Sequence, residues 1–370
     1  MSHAIMQYFE VIEDKREPWK VKHNLLEIIF MAIVATICRA ETWQEIAAFA
    51  EEKEAWFRKY LELENGIPSH DTFERCFRMI NPNQFRKCFI SWTESFRIKK
   101  EQEIIAIDGK TMRRTADNAL GRKAIHIVSA WADENGIVLG QVKTDEKSNE
   151  ITAIPELLDL LEIEGCVVTT DAMGTQKEIV KKIRSKKADY ALAVKENQPM
   201  LYDDIKDYFK AAIADKTGEF KYESVRKREK GHGRIEKREY YYSTDIKWME
   251  EKKEWKDIRG IGMVIRTSRE GGKTSTDTRY YISSIGNEIE LFAKAVRKHW
   301  GVEAMHWNLD VTFREDEMRS RKENLPENLA ALKRIALNMI KQERSIKKSM
   351  NVKRQKACLN EEYLEKIIFG

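Results

Sequence analysis

The chain has no long apolar run, no paired cysteines and no large excess of one charge, and each absence removes a class of protein. Its most apolar run, Leu25 to Cys38, contains Glu27 and falls short of the roughly 20 residues a membrane-spanning helix needs, so a core helix is expected there. No secretory signal opens the sequence. The five cysteines, Cys38, Cys76, Cys88, Cys166 and Cys358, show no metal-ligand spacing, and the seven histidines make no zinc pattern with them. They read as free thiols of a reducing compartment, so the protein is expected to be cytoplasmic, with no membrane partner. A net charge of +5 on 370 residues gives a weak overall field, and affinity for nucleic acid would have to come from local clusters. No repeats or low-complexity segments occur.

What is present is charge in quantity, 34% of residues, on a length that suggests two or three domains. From Leu25 to about Arg97 apolar residues recur at three- and four-residue steps, which is helical. One helix is expected over about Leu25–Arg39 and a second after Thr42, turning Trp43, Ile46, Ala47, Phe49, Ala50, Trp56 and Phe57 inward. Gly66-Ile-Pro68-Ser69 makes a turn, with Ser69 the expected N-cap of a helix holding Phe73, Cys76 and Phe77. Helix, short turn, helix is compatible with a groove-reading helix-turn-helix and with a plain bundle.

Strands are expected at Ile104–Ile107, Ala124–Trp131 and Ile137–Val142, the last two joined by the hairpin turn Asp133-Glu-Asn-Gly136. A helix over Ala153–Leu161, a strand closing at Asp171, a helix over Gln176–Ser185 and a strand over Tyr190–Lys195 follow. Between Met200 and Ile285 the pattern changes to hairpins built from Phe220–Arg226, Ile235–Ser243, Gly260–Thr267 and Arg279–Ile285. Helix resumes at Glu288–Asp310 and at Leu325–Glu343. This order predicts an α/β mixed sheet over residues 101–343, with a β-rich insertion at about 216–287. An all-helical, DNA-binding N-terminal domain is expected over 1–100. A basic tail is expected over 344–370, because the stretch Lys341, Arg344, Lys347, Lys348, Lys353, Arg354 and Lys356 that leads into it faces only Glu343.

Three acids stand out. Asp108 closes Glu103-Ile-Ile-Ala-Ile-Asp108, Asp171 closes Cys166-Val-Val-Thr-Thr-Asp171, and Glu303 lies in His299-Trp-Gly-Val-Glu303-Ala-Met-His306. The β-branched runs read as buried strands, and an acid at a strand end emerges where open α/β sheets carry their chemistry. On the helix, Glu303, His306, Trp307 and Asp310 share one face. Carboxylates gathered there suit hard divalent cations, as in two-metal phosphoryl transfer. A lone Asp at a strand end is more often a turn-former. The polar and cationic neighbours Lys110, Arg113, Arg114, Gln176, Lys177, Arg297, His299 and His306 favour phosphate contacts instead. Glu150, Asp310, Glu315 and Asp316 are rival acids.

Longer fragments narrow the reading. Pro68-Ser-His-Asp-Thr-Phe73, Ile107-Asp108-Gly-Lys-Thr-Met-Arg113, Lys147-Ser-Asn-Glu-Ile-Thr-Ala-Ile-Pro155, Thr170-Asp171-Ala-Met-Gly174, Asp189-Tyr-Ala-Leu-Ala-Val-Lys195-Glu-Asn-Gln198, His232-Gly-Arg-Ile-Glu236 and His299-Trp-Gly-Val-Glu303 run in order through almost the whole chain. Together they resemble a DDE transposase of bacterial insertion sequences, of the ISAs-one type in the wider IS-four group. The resemblance implies an RNase H-like core with Asp108, Asp171 and Glu303 as catalytic metal ligands. It also implies two Mg²⁺ ions, with Mn²⁺ a possible substitute, and hydrolytic cleavage with strand transfer at the ends of the element. Double-stranded DNA is the implied partner, held by a homodimer. Lys110, Arg113, Arg114, Lys195, Asn197, Gln198, His232, Arg234, Arg297, His299 and His306 are the expected DNA contacts; for Asn197 and Gln198 a structural turn stays open. The chain departs from the family around the third acid, where Ala304 and Met305 replace Asn and Leu, and Val296, His299 and Asp310 stand where Tyr, Arg and Lys are usual. A DNA-binding relic or regulator, and a nuclease without strand transfer, remain as alternatives.

Overall fold

The computed structural model describes residues 5–117, 121, 123–144, 149–231 and 234–370. Six helices come first: α1 (Met6–Phe9), α2 (Leu25–Ile37), α3 (Trp43–Glu52), α4 (Glu54–Phe57), α5 (His70–Met79) and α6 (Pro82–Phe96). Thr42 and Glu45 close a reciprocal capping box at α3. The single helix expected through Phe57 is broken at Lys53, which sits outside helical geometry between α3 and α4. Ser69 does start α5, but its hydroxyl meets Thr72 Oγ1 at 3.2 Å and caps no backbone N–H.

The α/β part runs β1 (Ile104–Thr111), β2 (His126–Ala132), β3 (Ile137–Lys143), α7 (Glu150–Leu160), β4 (Val167–Thr170), α8 (Lys177–Ser185), β5 (Asp189–Val194) and α9 (Pro199–Ala214). Next come β6 (Glu223–Gly231), β7 (Arg234–Ser243), β8 (Gly260–Glu270), β9 (Lys273–Ser283) and α10 (Ile289–Trp307). Helices α11 (Leu325–Gln342), α12 (Met350–Leu359) and α13 (Glu361–Phe369) complete the order.

All nine strands form one mixed sheet, in the order β3-β2-β1-β4-β5-β9-β8-β7-β6. β1 is antiparallel to β2 and parallel to β4, and β4 is parallel to β5. The insertion joins this sheet directly, because β9 pairs antiparallel with β5 over Ala191–Val194. Its hairpins therefore widen the sheet, an arrangement that sequence periodicity does not reveal.

Alternation along β1 feeds two cores. Ile105 and Ile107 pack with Ile154 and Leu157 of α7 and Ile179 and Ile183 of α8. Ile104 packs with Phe292 and Val296 of α10, while Ala106 joins the core shared by α11 and the N-terminal helices. Each fully buried isoleucine contributes about 2 kcal/mol relative to exposure. α11 is the hub: almost every residue from Leu325 to Ile340 is buried, between the sheet and the first helices. It also closes the sheet edge. Val138 N–H donates to Asn338 Oδ1 and Asn338 Nδ2 donates to Val138 O, both at 2.8 Å.

The segment read as a basic tail is folded. Ser349 and Asn360 cap α12 and α13, and Glu365 accepts from Trp56 Nε1 (3.0 Å) and the Tyr60 hydroxyl (2.7 Å) of the N-terminal helices. Arg354 is 1% exposed, with its guanidinium on Thr36 O and Glu41. Its charge is neutralised inside the protein, which a run of basic residues in the sequence does not disclose. Among the described residues all five cysteines are free, and no helix is long and apolar enough to cross a membrane.

Candidate active site

Three separated segments bring acids to one cavity of about 540 Å³ at the carboxyl end of the parallel strands. Asp108 comes from β1, Asp171 from the residue after β4, and Glu303 from α10, and all three line it. Parallel pairing of Ile107 with Thr170 sets the two aspartates side by side. Asp171 is fixed by its own turn, accepting from the N–H groups of Met173 (3.0 Å) and Gly174 (3.2 Å). α10 lies close to the sheet because residue 301 is glycine: a Cβ there would be 2.7 Å from Trp131 Nε1.

Glu150, the first residue of α7, belongs to the same acidic group. Asp108, Glu150 and Asp171 each offer a carboxylate oxygen within 4.8 Å of the others. Burial raises the Asp171 pKa, aided by the charges of Glu150 and Asp108 against the Gly174 N–H. Burial and Asp108 likewise raise that of Glu303, against Arg279 and His306. Mutual repulsion among hard oxygen donors is the electrostatic condition that a divalent cation relieves, so the residues present fit such an ion.

The other expected residues divide into three groups. His299 and Lys195 line the cavity, and His306 Nδ1 is 3.5 Å from Asp108 Oδ2. Burial pushes the His299 pKa down, which keeps the ring neutral at neutral pH, and its Nδ1 meets Thr169 Oγ1 at 3.0 Å. The side-chain amides of Asn197 and Gln198 donate to Ala172 O (2.8 Å) and Thr175 O (3.1 Å), which ties them to the loop after Asp171.

Lys110 and Arg297 are engaged by acids of the fold, Lys110 in a buried setting and Arg297 at the partly exposed surface. Lys110 is 8% exposed and bonded to Asp310 (2.6 Å), Asp316 (2.9 Å) and Glu315 (3.2 Å). Arg297 makes a two-pronged pair with Glu229 of the insertion, at 2.9 Å on each nitrogen. In both cases a segment distant in sequence supplies the neutralising acid. The rival acids Asp310, Glu315 and Asp316 are thus engaged by Lys110, and none of them lines the cavity of Asp108, Asp171 and Glu303. Arg113 and Arg114 are exposed beyond the end of β1, and Arg114 lines a larger cavity of about 800 Å³ that shares no residue with the acidic one. Arg234 is exposed on β7 beside Glu236 (3.2 Å), and His232 lies outside the described residues.

Sequence reasoning missed Arg279. It lines the cavity from β9 with its guanidinium 5.1 Å from the centre of the Trp300 ring, a cation–π stack. No local motif marks it, because the pairing of β9 with β5 puts it there.

Fold and site together define an α/β protein with an acidic, metal-competent cleft at its strand ends. The chain belongs to the DDE transposase family: residues 99–339 match the Transposase DDE domain, and residues 6–93 match the DDE_Tnp_1-associated region. It is 41% identical to the putative transposase YncI of Escherichia coli O157:H7, covering 99% of this chain and 94% of that protein. It is 37% identical to the H repeat-associated putative transposase YhhI of Escherichia coli K12, covering 99% and 98%. A distant structural likeness, 12% identical with a TM-score of 0.44 over 99% of this chain and 76% of the other, links it to a piggyBac transposase synaptic complex with hairpin DNA and is too slight to carry weight.

Proposed function

We propose that this protein cleaves and joins DNA at the ends of its own insertion sequence, with Asp108, Asp171 and Glu303 as metal ligands. The observation that carries this reading is the meeting of three acids from distant segments in one cavity. The order β3-β2-β1-β4-β5, three antiparallel strands followed by two parallel additions, supports an RNase H-like core. The three carboxylates would hold Mg²⁺, or Mn²⁺ in its place, and such ions activate an attacking oxygen and stabilise a leaving one at phosphorus. Around them, Lys195 and Arg279 supply positive charge on the cavity wall for a DNA phosphate. His306 stands beside Asp108. His299 lines the cavity, its Nδ1 beside Thr169 Oγ1.

The exposed Arg113, Arg114 and Arg234, with the N-terminal helices, are proposed to extend the DNA contact, and a homodimer to hold paired ends. A joining assay tests the reaction class. DNA carrying both flanks of the reading frame, incubated with protein, Mg²⁺ and a target plasmid, is expected to yield donor ends covalently linked to target. Cleaved ends that never join would instead define a nuclease.

A further inference from the structure

Glu150 reaches the acids from the opposite layer of the sheet. β1 turns Ile105 and Ile107 toward α7 and α8, and Ile104 toward α10, so Asp108 continues the α10 side and Gly109 the α7 side. Glu150 opens α7, yet its carboxylate joins those of Asp108 and Asp171 within 4.8 Å. It passes through the space where residue 109 would carry a side chain. A Cβ on Gly109 would lie 2.2 Å from Glu150 Oε1 and 2.2 Å from His126 Nε2.

His126 fixes the carboxylate, with Nε2 at 2.8 Å from Oε1, and Thr111 Oγ1 lies 2.8 Å from its Nδ1. A threonine hydroxyl donating to Nδ1 leaves the Nε2–H to donate to Glu150. Hydrogen-bonded carboxylates of this kind are the usual oriented ligands of metal sites. Among the described residues no lysine or arginine forms an ion pair with the carboxylates of Asp108, Glu150 and Asp171: Lys110, two residues beyond Asp108, is turned to Asp310, Glu315 and Asp316. Glu303 lines the same cavity but is not part of the 4.8 Å group.

We infer that Glu150 is a fourth acidic ligand of the metal centre, shared with Asp108 and Asp171, and that His126 is its positioning residue. The inference rests on the metal-dependent reading of the site. Mn²⁺ binding to the full-length protein, followed by electron paramagnetic resonance without DNA, tests it. Glu150→Gln keeps the size and the hydrogen bond to His126 but removes the charge. It is expected to weaken Mn²⁺ binding roughly tenfold or more, and His126→Gln by up to about tenfold. Asp108→Asn is the control. Unchanged affinity in Glu150→Gln beside lost affinity in Asp108→Asn overturns the role of Glu150 alone. Unchanged affinity in Asp108→Asn overturns the metal-site reading as well. If Glu150→Gln does not fold, His126→Gln decides: wild-type Mn²⁺ affinity in that variant overturns the inference.

Discussion

Two clusters of charge begin on the same strand and end in opposite conditions. On one side, Asp108 of β1 meets Asp171, Glu150 and Glu303, and among the described residues no lysine or arginine forms an ion pair with any of them, although Lys195 and Arg279 stand on the cavity wall. Two residues on, Lys110 opens a network in which acids and bases alternate. It bonds Asp310, Asp316 and Glu315; Glu315 bonds Arg334 at 2.7 Å; and Glu41 bonds Lys333 (3.3 Å) and Arg354 (2.7 Å). In the first cluster the pKa values of Asp171 and Glu303 rise. In the second, burial raises those of Asp310 and Glu41, but at the centre burial of Glu315 is outweighed by Arg334, Lys110 and Lys333, which hold it down at about 2. The balanced network ties α11, α12 and the segment after α10 to their neighbours; the unbalanced one is where an ion from outside is proposed to bind.

Breaking the balanced cluster should cost the most. Arg334 and Glu315 are both fully buried, and Arg334→Met takes from the Glu315 carboxylate its shortest ion pair, leaving Lys110 at 3.2 Å. The expected loss is about 3–5 kcal/mol by chemical denaturation, with most of it restored in the Arg334→Met/Glu315→Met double variant. A single variant as stable as wild type would show the pair to be dispensable.

Gly109→Ala sharpens the other side. The added methyl meets Glu150 and His126, and overpacking of this kind costs about 1–3 kcal/mol. Mn²⁺ affinity should fall with it, whereas an alanine that leaves both unchanged would mean the helix end moves freely aside. Away from both clusters, Asn338→Ala uncovers the β3 edge and leaves Val138 unpaired, for about 1–3 kcal/mol in the same denaturation experiment.

The smallest effect is the most diagnostic of imbalance. Asp171 and Glu303 have raised pKa values, so the folded chain keeps protons that the unfolded chain releases near pH 4. Their contribution to metal-free stability is therefore present below the ordinary carboxylate range and lost as pH rises through the raised values. Asp171→Asn should raise the metal-free Tm at neutral pH, and Mg²⁺ should raise that of wild type. A lower Tm in Asp171→Asn would mean the acid is satisfied within the fold.

Much of this was legible in the sequence. Asp108 and Asp171 close β-branched runs, and both runs are strands because buried strands announce themselves by composition; Asp171 follows the end of β4 as expected, whereas β1 continues past Asp108 to Thr111, paired with β2. The hairpin turn at Asp133–Gly136 is likewise local, with Gly136 at φ 68° between β2 and β3. Long-range pairing is not. Lys110 and Arg297 read as phosphate contacts until Asp316 and Glu229, far along the chain, arrive to neutralise them. Glu150 reads as one of four rival acids until the missing side chain of Gly109 leaves room for it beside Asp108 and Asp171. The basic run around Arg354 reads as a solvated tail until Thr36 and Glu41 bury it.

The central claim is that Asp108, Asp171 and Glu303 form one metal-dependent centre that cuts DNA. Its most direct measurement is Mg²⁺-dependent cleavage of DNA carrying both flanks of the reading frame, by wild type and by Asp108→Asn, Asp171→Asn and Glu303→Gln. Each variant should retain DNA binding and lose cleavage by about a thousandfold, the several kcal/mol that a bound metal contributes. Cleavage at wild-type rate by a protein lacking all three acids would contradict the account.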